Sequence, residues 1–505
     1  MRSASCVLRN TEELVVFRRV KTTWVVVNAV RHMQYGDFMA EQLIISVSGM
    51  RGIIGENLSA SIAVEYGCAF GSFLKGRHPG EKKKPSVCIG RDSRPSGQML
   101  ASAVASGLCA VGIDVIDLGI VTTPGVGVML TELSCAGGVV ITASHNPIPY
   151  NGIKLLLDNG VAPPPSQAEL IRRRFFDKDF VLADSVNCGS LTFSDQTDAV
   201  HIAKILTIVD KEPIAAKSFK VVLDSVNGAG GRVTKKLLAE FGCEVFAIND
   251  EPTGLFAHEP EPTADNLTGL CEVVKSQGAD IGFAQDPDAD RLAIVDENGS
   301  YIGEEYTLAL AAKNIFRKGP GKAATNLSTS RMIDDVAYRA DSQVIRTAVG
   351  EANVAEAMYR NECIIGGEGN GGVIDLRVGP VRSSLVGIAL VLQLMAETGK
   401  TVSELVAEIG GYSMRKEKFP ANQDHAGQIL DSAKTAFAGA RLDTTDGCRF
   451  DFDDGWLHLR TSNTEPVMRA IVEAKDKQAV EEYLDVIEKI RKEVLGRSSE
   501  RREQT

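Results

Sequence analysis

Lys220-Val221-Val222-Leu223-Asp224-Ser225-Val226-Asn227-Gly228 reads as a short β-rich strand running into a small polar loop and then a helix. Val87 to Gly90 leads in the same way into Arg91-Asp92-Ser93-Arg94-Pro95-Ser96-Gly97. A weaker third copy is Lys322 to Thr325, followed by Asn326-Leu327-Ser328-Thr329-Ser330. A second strand follows each helix. Two copies share a lead-in, Val111-Gly112-Ile113-Asp114-Val115 and Phe241-Gly242-Cys243-Glu244-Val245, and the third has Ser342 to Arg346. After a further helix and strand comes a distinctive loop. It is Thr142-Ala143-Ser144-His145-Asn146-Pro147 in the first copy and Asp286-Pro287-Asp288-Ala289-Asp290-Arg291 in the second. In the third it is Gly367-Glu368-Gly369-Asn370-Gly371-Gly372. Such self-similarity means one supersecondary unit used three times. Strands alternating with helices predict α/β units with mixed or parallel sheets, whose ligand sites gather at strand carboxyl ends. The three loops are therefore expected to face one central cleft.

The last segment breaks the pattern. A helix from about Gly427 to Phe437 leads into Trp456 to Arg460. A polar loop, Thr461-Ser462-Asn463-Thr464-Glu465-Pro466, precedes another strand, Met468 to Ala474, and a charged helix, Lys477 to Leu495. The expected fold class is α/β: three similar α/β domains with mixed sheets, over 39–190, 191–298 and 299–413, plus a smaller α+β domain over 414–497. Residues 498–505 read as a frayed tail. Residues 1–38 look foreign to the rest, with a basic stretch, Arg18 to His32, and only a short apolar piece, Trp24 to Val27. A signal peptide needs a longer apolar region. The expectation is a poorly ordered extension from an upstream start codon, with Met39 just before the first convincing strand.

Composition sets outer limits. The chain has 505 residues, 44% hydrophobic and 24% charged, enough for several cores. A net charge of −11 argues against nucleic acid as the main partner but leaves room for a local basic pocket that takes an anionic small molecule. The 10 cysteines are scattered without a C-x-x-C pair, and Cys88, Cys109 and Cys363 sit in apolar runs. They read as reduced thiols of a cytoplasmic protein. No apolar run is long enough to cross a bilayer.

The second loop carries the most chemistry. Three carboxylates at alternate positions within five residues repel one another unless a hard, oxygen-loving cation joins them. Arg291 hints that the metal's other partner is a phosphate. Asp286, Asp288, Asp290 and Glu297 also match positions 1, 3, 5 and 12 of an EF-hand. Its sixth position needs glycine and here holds Arg291, and Leu292 to Val295 reads as a strand, so calcium is rejected in favour of an open Mg²⁺ site. Ser144 ends an apolar strand and offers a nucleophile or phosphate carrier. The G-x-S-x-G elbow of acyl chemistry is absent. Adjacent residues rarely face each other, so spacing alone does not make Ser144 and His145 a dyad. Glu368 and Asn370 on a glycine-rich loop suit sugar hydroxyls. Arg460, with the hydroxyls and amide of Thr461 to Thr464 and nearby Arg469, suits a phosphate dianion.

Together these loops resemble the α-D-phosphohexomutases, the phosphoglucomutase and phosphomannomutase superfamily. The resemblance spans about residues 43 to 495 and includes Ser48-Gly49-Met50-Arg51-Gly52 and Asn151-Gly152-Ile153-Lys154. It implies four domains around a cleft and transfer of a phosphoryl group between the 1- and 6-positions of a hexose. By resemblance Ser144 is the phosphoserine, and Mg²⁺ is held by Asp286, Asp288, Asp290 and a phosphoserine oxygen. Arg51, His145, Lys154 and Arg291 serve proton transfer or charge neutralisation. Glu368 and Asn370 bind sugar hydroxyls, and Arg460, Ser462, Asn463, Thr464 and Arg469 hold the phosphate that is not reacting. A hexose 1,6-bisphosphate is the implied intermediate and activator. The implied protein binds a phosphosugar, neither nucleic acid nor membrane, and is a monomer or homodimer. Many relatives read G-E-x-S-G-H where Asn370 and Gly372 stand here. S-G-M-R-G-I-I-G and G-E-G-N-G-G-V-I look most like a bacterial subgroup labelled phosphoglucosamine mutase, whose substrate is glucosamine 6-phosphate. Broad-specificity phosphomannomutase/phosphoglucomutase relatives share the second motif and are the alternative. A non-catalytic binding protein is disfavoured by the intact serine and aspartates. A haloacid-type phosphatase would leave Ser144 unexplained.

Overall fold

A computed structural model describes residues 5–10, 13–20, 23–28, 43–46, 49–77, 84–462 and 467–502. The chain divides into two units, 1–42 and 43–505. In the first, Ser5–Asn10, Glu13–Val20 and Thr23–Asn28 pair as an antiparallel sheet in that order.

The second unit carries the threefold repeat as one strand order. In each copy the first strand is central, flanked by the second and third, both parallel to it, and a fourth strand runs antiparallel to the third. The copies are Asp114–Ile120, Ser86–Arg91, Gly137–Ile141, Tyr150–Leu157; Glu244–Ile248, Lys220–Asp224, Ile281–Gln285, Leu292–Val295; and Gln343–Thr347, Lys322–Asn326, Ile365–Glu368, Gly372–Ile374. The three sheets are mixed, as the alternation of strands and helices predicts. The first adds Leu191–Phe193 at one edge and Gly49–Ile53 and Ile44–Ser46 at the other. Each distinctive loop joins a third strand to a fourth. All three thus leave their sheets at the carboxyl end of a buried parallel strand, where backbone polar groups become free to meet a ligand.

The last domain is a five-stranded antiparallel sheet, ordered Ser413–Pro420, Val467–Ala474, Gly455–Thr461, Cys448–Asp451, Arg441–Asp443. The helices Gln423–Ala436 and Lys477–Arg502 cover one face. Its sequence reading missed the outer strands: Arg441–Asp443 is only three residues long, and Ser413–Pro420 is mostly polar.

Apolar packing binds some domains and not others. A single buried cluster runs from the second domain (Leu223, Phe283, Ile294) into the third (Leu308, Leu385, Ile388) and takes in Val128 of the first. Each fully buried large apolar side chain contributes roughly 1.5–3 kcal/mol. The last domain keeps its own cluster, Phe419 to Val494. The most apolar helix, Ser384–Thr398, lies inside the shared core. Among the described residues no single helix is long and apolar enough to cross a membrane. The nine cysteines from Cys68 to Cys448 are free thiols.

Candidate active site

The serine loop is held by charge rather than by its own sequence. Ser144 takes a left-handed backbone with φ +50, an uncommon conformation for a non-glycine residue. Its N–H donates to Thr142 Oγ1 (2.9 Å), whose hydroxyl donates to Asp92 Oδ2 (2.6 Å). Buried Arg94 is fixed by Asp92 (3.1 Å) and by the ring of Phe256 (4.8 Å). Its guanidinium donates to the carbonyls of Ser144 (2.6 Å), Asn146 (2.6 Å) and Pro147 (2.9 Å). So clamped, Ser144 Oγ donates to Asp286 Oδ2 at 2.8 Å and lies 3.3 Å from His145 Nδ1. The positive φ brings together two neighbours that their spacing alone would separate.

Asp286, Asp288 and Asp290 are almost wholly buried, and one oxygen from each lies within 4.8 Å of the others. The helix Thr123–Glu132 begins beside them. Thr122 caps it by accepting the Gly125 N–H (3.0 Å), and Thr123 then donates its hydroxyl to Asp288 Oδ2 (2.6 Å). Lys154 Nζ lies 2.8 Å from the same oxygen, and Asp290 Oδ2 accepts from Arg382 Nη2 (2.7 Å). Asp288 Oδ1 and Asp290 Oδ1 have no hydrogen-bond partner among the described residues. A buried carboxylate oxygen without a donor is costly. Two of them beside a serine hydroxyl fit a divalent cation with oxygen ligands.

The titration directions agree. Burial, then Asp290 and Asp288, push the Asp286 carboxyl well above its ordinary range. Burial acts against Asp288 too, but Lys154 and Thr123 outweigh it and hold that group ionised below the usual range. Burial, then Arg291 and Arg51, drive the His145 imidazole down to about 2, so it is neutral. Arg51 donates to Asn146 Oδ1 (2.8 Å). Arg291 stands 4.0 Å from Asp286 and 3.9 Å from Asp290, with Glu261 3.4 Å from its outer nitrogen.

The glycine-rich loop is stitched to the aspartate loop, with Leu292 N–H donating to Gly371 C=O at 3.0 Å. Glu368 accepts from Asn326 (2.8 Å), Gly350 N–H (3.1 Å) and Arg382 Nη1 (2.6 Å), while Asn370 lies 3.5 Å away. Burial alone would raise its pKa, but Arg382 and Asn326 reverse the sign and keep it ionised. Arg382 thus spans from Asp290 to Glu368, with Glu351 on its Nε (3.0 Å). A Cβ on Gly369 would meet the Glu305 carboxylate and push it away from the Ser330 N–H and Lys416.

Arg460 is buried with its Nε on Asp446 Oδ2 (3.2 Å), and that oxygen also accepts the Val349 N–H (3.0 Å). Arg469 is exposed on the neighbouring strand, directly opposite Arg460, and Ser462 N–H donates to Val467 C=O (2.9 Å). Asn463 and Thr464 lie outside the described residues, as does Ser48. Direct contacts therefore join Ser144, His145, Lys154, Asp286, Asp288 and Asp290, with Arg51 and Arg291 at the rim. Arg382 links these to Glu368, and Asp446 links Arg460 to the same region. Sequence reading missed Arg94, Thr123, Glu261, Arg382 and Asp446. A faint signal existed for Arg94, a charge in a repeated polar loop between apolar elements.

Comparison with known proteins places this arrangement. The phosphoglucomutase/phosphomannomutase alpha/beta/alpha domain I matches residues 42–182, domain II 199–299, domain III 303–412 and the C-terminal domain 414–490. The chain belongs to the phosphoglucomutase/phosphomannomutase family. It is therefore a mutase of the α-D-phosphohexomutase superfamily. A Thermococcus kodakarensis "Phosphoglucomutase/phosphomannomutase" is 41% identical over 88% of this chain and 98% of its own. A "Probable phosphoglucosamine mutase" from Methanopyrus kandleri is 36% identical over 88% of this chain and 98% of its own. The crystal structure of a family protein from Burkholderia thailandensis superposes with a TM-score of 0.79 at 28% identity, covering 89% of this chain and 97% of that one. The family matches begin at residue 42, so the preceding unit lies outside them. The four-domain α/β architecture expected from the repeat is that of the family.

Proposed function

We propose that the enzyme interconverts hexose 6-phosphate and hexose 1-phosphate through a phosphoserine at Ser144 and a hexose 1,6-bisphosphate, with glucosamine as the preferred hexose. The observation that carries this reading is Ser144 Oγ, 2.8 Å from Asp286, beside two carboxylate oxygens without donors. Asp286, Asp288 and Asp290, with a phosphoserine oxygen, would hold one Mg²⁺, which supplies charge neutralisation for the transferring phosphoryl group.

The residues supply the rest. Phosphoryl transfer asks for in-line positioning and charge stabilisation more than covalent help. A sugar hydroxyl attacks the phosphorus opposite Ser144 Oγ and gives its proton to a base on its own side, while the Oγ–P bond breaks and Oγ takes up a proton. His145 lies 3.3 Å from Ser144 Oγ, on the leaving side, so it can hold the proton that Oγ takes up once the phosphate dianion offsets Arg51 and Arg291. Arg51, Lys154 and Arg291 balance the phosphate charge. Glu368 reads a sugar hydroxyl with what Arg382, Asn326 and Gly350 leave free, about one of its roughly four acceptor positions. Asn370 adds an amide. Arg460, Ser462, Asn463, Thr464 and Arg469 hold the other phosphate while the bisphosphate turns to present it to Ser144. A closed, dry cleft keeps water from taking the phosphate instead.

Ser144→Ala is expected to abolish both turnover and covalent phosphate, read by intact-protein mass spectrometry. Phosphate retained elsewhere on the variant would overturn the carrier assignment. For the sugar, kcat/KM on the 1-phosphates of glucosamine, glucose and mannose decides, and glucosamine 1-phosphate as the poorest would reject the first choice. The broad phosphoglucomutase/phosphomannomutase reading is favoured by the name of the 41% identical relative.

A further inference from the structure

The sheet of the last domain turns one face to its helices and the other to the third domain, and strand register divides the second face into rungs. Phe419, Met468 and Leu459 belong to the helix-side core, so the residues alternating with them point the other way. The first rung is Met414, Glu473, Trp456, and Glu473 accepts the Arg331 N–H of the third domain (2.8 Å). The second is Lys416, Ile471, His458. Lys416 meets Glu304 (2.6 Å) and Glu305 (3.0 Å), and His458 meets Ser328 (2.9 Å). The third is Lys418, Arg469, Arg460. Only Arg460 is answered, by Asp446. Lys418 and Arg469 are exposed, and neither side chain has a partner among the described residues.

Three cations side by side across neighbouring strands repel one another. The first two rungs show what this face does when it docks: every charge finds a partner across the boundary. The third continues past the docking contacts towards Asp446 and Val349, and Gly350, next to Val349, binds Glu368. A row of like charge left open beside the sugar loop is built for an anion.

We propose that Lys418 is a phosphate-binding residue, the outer member of a three-cation row that grips the non-reacting phosphate of the sugar substrate. This rests on the mutase reading and adds one residue to it. Strands lie about 4.8 Å apart, so the Lys418 backbone stands roughly 10 Å from that of Arg460. Its flexible four-carbon stem can fold inward over Arg469 and deliver a point charge, complementing the planar forks of the arginines.

The test compares wild-type enzyme, Lys418→Gln and Lys418→Arg in steady-state kinetics on glucosamine 1-phosphate and glucose 1-phosphate, with binding of inorganic phosphate measured by calorimetry. Losing one charge-assisted contact is expected to raise KM and the phosphate Kd about ten-fold in Lys418→Gln. The effect should fall on KM rather than kcat, Ser144 should still become phosphorylated, and Lys418→Arg should recover most of the loss. Unchanged KM and unchanged phosphate Kd in Lys418→Gln would overturn the proposal. A lowered Tm with no change in either constant would reduce Lys418 to a structural role and overturn it equally. If the wild-type enzyme neither turns over nor carries phosphate on Ser144, the mutase reading has failed. The phosphate Kd of the same variants then still decides the lysine.

Discussion

The two sides of the cleft are fastened in different ways. On the side of the serine and aspartates, three domains share buried apolar side chains and exchange buried charged contacts: Ser144 to Asp286, Thr123 to Asp288, Arg382 to Asp290 and Glu368. The last domain keeps a separate core and meets the third through polar groups, among them Arg331 with Glu473, Lys416 with Glu304 and Glu305, and His458 with Ser328. Parting the first set would expose apolar surface and strand charges. A typical hydrogen bond of the second set gives only about 0.5–1.5 kcal/mol net, because water replaces it. The serine and aspartates thus sit where the domains are most firmly joined, and the phosphate grip proposed at Arg460 sits where they separate at least cost.

The largest effect should come from the firmly joined side. Asp286→Asn replaces a carboxyl that is already held protonated in the metal-free protein, so metal-free stability should change little while the Mg²⁺-dependent part is lost and turnover falls by about 10³-fold or more. Thermal melts with and without Mg²⁺ check both. Wild-type Tm should rise with Mg²⁺ and the variant's should not. A variant that still gains stability from Mg²⁺ would break the claim that this carboxylate is a ligand. Next, Arg382→Gln leaves Asp290, Glu368 and Glu351 buried without their cation, a loss on the order of 3–5 kcal/mol. Denaturant unfolding should show it, and kcat/KM should fall about 100-fold as both loops lose their shared anchor. Wild-type stability in that variant would mean the loops are positioned separately.

Much of this was legible. The repeat predicted three like α/β units with mixed or parallel sheets, and the three units do share one strand order. The aspartate triad pointed to a metal site, and the structure gathers the three buried carboxylates where an ion could bind. Less legible were the groups whose meaning depends on a partner far along the chain. Arg382 lies 92 residues from Asp290, and nothing in Gly379-Pro380-Val381-Arg382 marks it. Arg94 stands in a small polar loop of the sequence, yet it is buried and holds the carbonyls of the serine loop. The meeting of Ser144 with His145 needs a positive φ that serine seldom adopts, and it exists because Arg94 and Thr142 impose it.

The smallest effect tests the looser side through pH. Glu305 lies under the glycine-rich loop and faces Lys416 from the last domain, Glu304 from its own and the Ser330 N–H (2.9 Å). Burial raises its pKa to about 7, and Lys416 only partly opposes this, because one ammonium serves two carboxylates. A carboxyl whose pKa is higher in the packed state binds its proton more tightly there. Its contribution is therefore complete below its ordinary value near 4.5 and is lost as pH rises towards about 7. That loss falls on the third domain, whose Gly369 loop and Ser330 N–H enclose the carboxyl, by a few kcal/mol at most, while the Lys416 pair across the boundary gains as the carboxyl ionises. Calorimetry from pH 5 to 8 should show the core transition of the second and third domains moving to lower temperature as pH rises, and the transition of the last domain not following it. Glu305→Gln, neutral throughout, should flatten the dependence. If both transitions move down together, the two sides of the cleft are not fastened differently, and the contrast drawn from their contacts fails.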